Sequence, residues 1–226
     1  MSFELKNTVP WGRTLAEYKR MFNLTESDLT KRIISFGDGP ASFNCEMKNL
    51  GKYVTSLDPI YQFSKGELKQ RIEETKDSVM DQMKENKDNF IWTTIKNISE
   101  LEKLRMGAMS DFLADYELGL KENRYLMHEL PESTIFKEQN FDLGLSSHFL
   151  MLYSQLGLDF HIKSISEMLR VCKEIRIFPI LNLNAEKSEL LPKIEKAFKK
   201  DFELSIEPVN YEFQKGGNKM LRIQRK

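Results

Sequence analysis

Residues 32–61 constrain the fold of this chain more than any other stretch. Ile33 and Ile34 open a short buried strand, and Gly37 and Gly39 make a tight turn. Residues 42–50 suit one short helix that stops at Gly51. Residues 53–57 then make a second strand, with Asp58 at its end. Glycines at a strand–helix junction let the backbone approach a ligand closely, and the helix start offers free N–H groups. A carboxylate at the end of the second strand can accept hydrogen bonds from both ribose hydroxyls of an adenosine. The unit therefore predicts a site for an adenosine-containing cofactor.

Composition removes several function classes. Lys and Arg number 34, as do Asp and Glu, so no net charge draws the chain to nucleic acid or an acidic membrane. Cys45 and Cys172 are the only cysteines, which excludes a disulfide framework or a cysteine-rich metal site. No metal spacing links the histidines 128, 148 and 161. The first residues lack an apolar signal core, and no run of 18 apolar residues occurs, so a cytoplasmic protein is expected. A length of 226 residues suits one α/β domain with an insertion, acting as a monomer or homodimer.

Along the chain, strand and helix signals alternate. Residues 1–31 read as an N-terminal helical cap, with Thr14 and Glu17 in a capping-box pattern and a second short helix over 26–31. Residues 62–122 read as a helical insertion between the second and third strands. Ser64 and Glu67 cap its first helix, Ser99 and Glu102 its second, and Gly119 stops the second. Strands follow at 124–128, from Phe141, and at 174–180, with helices over 159–173 and 187–199. The last two strands, 202–209 and 219–223, flank Gly216 and Gly217 as a hairpin. Such alternation predicts a mostly parallel sheet with helices on both faces and an antiparallel edge.

Two cofactor classes compete. A nicotinamide or flavin site calls for G-x-G-x-x-G, but Ser42 stands in the third glycine position and Pro40 stiffens the loop. The glycine turn 36–43, Asp58, Phe141-Asp-Leu with its polar loop, and the final hairpin together resemble a class I S-adenosylmethionine (SAM)-dependent methyltransferase. Gly12-Arg-Thr-Leu-Ala-Glu-Tyr, Ser146-Ser-His-Phe-Leu-Met-Leu-Tyr and Glu174-Ile-Arg-Ile-Phe-Pro resemble an uncharacterised bacterial group of these enzymes. The resemblance implies a Rossmann-like fold with a seven-stranded sheet, SAM as cofactor and S-adenosylhomocysteine (SAH) as product. Ser35 departs from the pattern, since many members carry an acid there, and so does Ala41 in place of a third glycine.

The cofactor-binding candidates are Gly37, Asp38 and Gly39 in the turn, Asp58 for the ribose, Pro59 and Ile60 against the adenine, and Glu129 and Leu130 at the adenine edge. Ser146 and Ser147 follow the fourth strand, and His148 there is the candidate general base. The planar fork of Arg13 suits the SAM carboxylate, and Tyr18, Trp92 and Tyr153 suit an aromatic wall. Arg105, Met109, Phe112 and Asp115 set the insertion helix over the acceptor site. A small-molecule acceptor is the first expectation. An RNA or protein methyltransferase, which a basic rim would mark, and a non-catalytic SAM-binding module are the alternatives.

Overall fold

The computed structural model describes residues 11–226; the first ten residues of the expected N-terminal cap lie outside the described residues. Seven strands form one sheet in the order β3-β2-β1-β4-β5-β7-β6. They are β1 (Ile33–Phe36), β2 (Val54–Leu57), β3 (Tyr125–Leu126), β4 (Phe141–Ser147), β5 (Cys172–Phe178), β6 (Phe202–Pro208) and β7 (Lys219–Arg225). Strands β1 to β5 pair in parallel, and β7 runs antiparallel to both β5 and β6. This is the Rossmann-like arrangement expected from the sequence. The order reverses between β1 and β4, which opens a crevice beyond the carboxyl ends of those strands.

Both faces of the sheet are buried, as parallel sheets require. Ile33 points to the face covered by α1 (Leu15–Met21) and α2 (Phe43–Asn49), among Tyr18, Phe22, Phe43 and Met47. Ile34 and Phe36 point to the face covered by α5 (Leu158–Val171) and α6 (Leu191–Phe198), among Ile165, Met168 and Ile194. The chain between β2 and β3 makes two long helices, α3 (Lys65–Glu85) and α4 (Ile98–Lys121).

Local chemistry explains where elements begin. Thr14 and Glu17 close a capping box on α1, and Ser64 and Glu67 close one on α3. The cap of α4 differs from the sequence expectation. Asn97, not Ser99, accepts the Glu100 amide at 2.9 Å, so the helix starts about half a turn earlier and carries Ser99 inside it. Residues 26–31 form only a 3-10 turn, Asp28–Thr30, because the Asp28 carboxylate bonds back to the Thr25 amide instead of leaving the backbone free to coil on.

Gly119 does not stop α4, which continues to Lys121. Its role is close packing: a Cβ there would lie 2.2 Å from the Tyr125 ring, which fills the space beside the helix. Gly119→Ala is therefore expected to destabilise the protein by about 1–3 kcal/mol through overpacking, measured as a lower urea midpoint with an unchanged slope. A neutral or stabilising result would show that Tyr125 moves freely.

Candidate active site

A cavity of about 690 Å³ opens at the carboxyl ends of the parallel strands. The turn after β1 forms its floor. Gly37 has a φ of +66° and Gly39 one of +58°, backbone that glycine adopts without strain. A Cβ on Gly37 would lie 2.8 Å from the Phe149 ring, whereas one on Gly39 would meet no protein atom. Gly39 thus borders open space.

Asp58 follows β2 directly. Its Oδ2 accepts the Gly39 amide at 2.8 Å and its Oδ1 the Ile60 amide at 2.9 Å. Each oxygen keeps a lone pair for a further donor. Burial pushes its pKa up to about 6, against the pull of those two amides. Tyr61 locks the turn by donating to the Gly39 carbonyl at 2.8 Å.

The missing acid at Ser35 is made good from within the turn. The Asp38 side chain folds back, and Ser35 and Ser56 each donate to it at 2.5 Å. The Tyr18 phenol donates to the same carboxylate. Burial raises the Asp38 pKa, and the three hydroxyl donors oppose the rise. No described cation forms an ion pair with Asp38 or Asp58.

Residues 11–14 cross over the glycine turn. A Cβ on Gly12 would lie 2.4 Å from the Pro40 carbonyl oxygen, and the Ser42 amide donates to the Arg13 carbonyl at 3.0 Å. Glu46 ties the two helix starts together by accepting from the Leu15 amide at 2.9 Å and the Ser42 hydroxyl at 2.6 Å. Arg13 is thereby set against the cavity. Among the described residues it donates to the Trp11 carbonyl alone, at 3.1 Å, and its buried Nε has no partner. Burial and the neighbouring Arg105 lower its pKa, and the opposing pull of Tyr211 and Glu17 offsets them only in part.

Ser146 and Ser147, expected past the fourth strand, are the last two residues of β4; Ser147 and the following His148 line the cavity while Ser146 does not. Adjacent strand residues point to opposite faces, so Ser146 is turned into the core, where its hydroxyl has no partner. His148 has a φ of +52°, and its Nδ1 lies 2.9 Å from the Ser147 hydroxyl. Burial, then the charges of Arg13 and Arg105, hold its pKa well below the usual histidine range, so the ring is neutral. Pro59, Ile60, Glu129 and Leu130 also border the cavity, as does Tyr153. Trp92 does not; it packs edge-on to Phe213 at 5.3 Å.

The insertion residues expected over an acceptor are elsewhere. Arg105 is fully buried in a two-pronged pair with Glu17, both contacts at 2.7 Å, and the Tyr211 hydroxyl donates to the same carboxylate at 3.0 Å. Asp115 pairs with Arg124, and Met109 and Phe112 are core. Phe149 and Leu152 line the cavity from the 146–153 loop, which the sequence reading placed at the acceptor; that reading did not single out His128, whose buried Nε2 has no partner among the described residues, or Phe213. Only Gly12, next to Arg13, hinted at the close crossing. Among the described residues, no cluster suits a metal ion and no helix is long and apolar enough to cross a membrane.

No family model matches the chain. The uncharacterised protein MJ0045 of Methanocaldococcus jannaschii is 41% identical over 223 residues, which cover 98% of each chain. The chain belongs to the family of that archaeal protein. The resemblance read from the sequence pointed to a bacterial group, and this relative shows an archaeal member. Among solved structures, a TehB-like SAM-dependent methyltransferase of Corynebacterium glutamicum aligns with 87% of this chain and 81% of its own, at a TM-score of 0.44 and 13% identity. The magnesium protoporphyrin IX methyltransferase of Synechocystis with bound SAM aligns with 87% and 70%, at a TM-score of 0.44 and 11% identity. What the cavity of this chain can hold follows from its own residues.

Proposed function

We propose that the chain, acting as one methyltransferase domain over 1–226, is a SAM-dependent methyltransferase with a small-molecule acceptor. One observation carries the reading. The cavity is lined by three acidic residues, Asp38, Asp58 and Glu129, and one guanidinium, Arg13, and none of the four is in an ion pair with a described residue. An adenosyl amino acid is complementary to that set. Its ribose hydroxyls suit the free lone pairs of Asp58, its carboxylate suits Arg13, and its positive charges suit the Asp38 side. The orphaned Nε2 of His128 and the open space at Gly39 fit a ligand that lies across β2 and β3.

A dinucleotide suits the same cavity poorly. Its pyrophosphate belongs at the start of the helix after β1. Here the Glu46 carboxylate occupies that start, the Ser42 amide and hydroxyl are already bonded, and Asp38 adds a second negative group.

SAM, when bound, supplies an electrophilic methyl group on sulfur, so the protein has little bond chemistry of its own to perform. The chain's part is to orient and to exclude water. Asp58 fixes the ribose, Arg13 the carboxylate, and the loop after β4 borders the place where an acceptor enters. His148 is a neutral ring whose Nε2 makes no hydrogen bond with a described residue, so it can accept a hydrogen bond from an acceptor's O–H or N–H and take its proton in passing, its lowered pKa making it a weak base.

A thermal-shift panel of SAM, SAH, NAD and NADP tests the reading. The two sulfur nucleosides are expected to raise Tm with concentration and the dinucleotides to leave it unchanged. A shift with NAD and none with SAH would overturn it. The Asp58 carboxyl sets a pH dependence. With a folded pKa of about 6 against an ordinary 3.8, its ionisation removes stability from the free protein as pH rises through that window. A ligand that donates two hydroxyls to the ionised form reverses this. The SAH dissociation constant is therefore expected to rise about tenfold per pH unit below about 6, read by calorimetry from pH 5 to 8. A flat profile would remove Asp58 from the ligand.

A further inference from the structure

The cavity is larger in its chemistry than the donor wall. Beyond the ends of β1, β2 and β3 and the Arg13 crossing, the lining side chains are apolar, aromatic, hydroxyl or carboxamide, with the neutral ring of His148, and none carries a charge. Two aromatic groups stand there. Phe90 stacks on Phe213 with ring centroids 4.9 Å apart, and Phe149 meets Phe160 edge-on at 6.2 Å. The first pair is held by backbone: the Ile91 amide donates to the Phe213 carbonyl at 2.7 Å, and the Lys215 amide to the Asn89 carbonyl at 3.0 Å. The insertion and the hairpin loop thus form one rigid wall.

Besides the Ser147 and Tyr153 hydroxyls and the His148 ring, the polar groups on this side are three carboxamides, those of Asn89, Asn184 and Gln214. None of the three side chains makes a hydrogen bond with a described residue. A carboxamide offers one acceptor and two donors with no net charge. It reads a neutral polar edge and does nothing to offset the desolvation of an ion.

From this charge-free wall we propose that the acceptor is an uncharged, ring-bearing molecule, seated against the Phe90–Phe213 and Phe149–Phe160 rings with its polar edge on the carboxamides. The inference rests on the methyltransferase reading for the name acceptor, and on the wall alone for the class of ligand. A cationic amine finds no carboxylate there, and an anion finds no cation once Arg13 is engaged by the donor.

Three probes of one shape test it by calorimetry on the full chain saturated with SAH: 2-naphthol, 2-naphthoate and 2-(aminomethyl)naphthalene. Naphthol is expected to bind at least tenfold more tightly than either ion. Naphthoate is expected to bind the free protein and to be displaced by SAH. Phe213→Ala is expected to weaken naphthol about tenfold while SAH affinity stays, which also certifies its fold. Asn184→Asp, on an exposed loop, is expected to raise the affinity of the amine at least threefold. Either ion binding within threefold of naphthol, or neither variant changing its probe, would overturn the proposal. If SAH itself does not bind, the donor reading falls, and on the free protein the response of naphthol to Phe213→Ala and of the amine to Asn184→Asp still decides the class of ligand.

Discussion

Replacing Arg105 by methionine is expected to cost about 3–5 kcal/mol of stability, because it leaves the Glu17 carboxylate buried without its partner. Both side chains are 1% exposed, and the pair is bidentate. Burial by itself raises the Glu17 pKa, yet the Arg105 charge and hydrogen bonds bring it down to about 2. The depressed value fixes the sign of the pH dependence. The contribution of the pair is present above the ordinary carboxylate range and is lost as pH falls towards 2. For a chain of this size the change corresponds to a fall in Tm of roughly 6–20 °C. The double variant Glu17→Leu with Arg105→Met is expected to regain most of the loss, since a buried pair replaced by apolar groups is often neutral. It should stay about 1 kcal/mol short, because Glu17 also closes the capping box with Thr14. A single variant as stable as the parent at pH 7 would show that the carboxylate is protonated or reaches water.

The largest effect on ligand binding is expected at Asp58. Asp58→Ala removes the acceptor for both ribose hydroxyls, and hydrogen bonds to a charged group contribute about 1.5–3 kcal/mol each. SAH affinity should fall by about 100-fold or more, measured by calorimetry at pH 7.5. The variant also frees the Gly39 and Ile60 amides, so part of the loss reflects a looser turn. Asp81→Ala, which removes an exposed i,i+3 partner of Lys84, controls for a simple change of charge and should bind as the parent does. An Asp58→Ala protein within threefold of parent affinity would sink the ribose assignment.

Features set by neighbours in sequence were legible in advance. The glycine turn, Asp58 and the caps at Thr14 and Ser64 depend on spacings of a few residues, and the structure holds them where the spacing put them. The hairpin was legible for the same reason. Errors arose where a distant partner decides. Arg105 reads as a helix charge aimed at a ligand until Glu17, 88 residues away, is seen to meet it. Gly119 reads as a helix stop until the Tyr125 ring fills its side. Ser35 reads as a lost acid until Asp38 turns back towards it. Ser146 and Ser147 cannot be told apart without knowing which face of β4 the cavity adjoins. The aromatic wall was hidden because it joins residues 90 and 213, which only the folded hairpin loop brings together.

The Glu17–Arg105–Tyr211 cluster also bears on how the molecule comes into being. During synthesis, the glycine turn and Asp58 emerge early and can fold as a local strand–helix–strand unit. Glu17 must then wait 194 residues for the Tyr211 hydroxyl. Until that residue leaves the ribosome, a nascent chain holds the cradle without its clasp, and a ligand that meets it has a floor to touch but no closed room to enter.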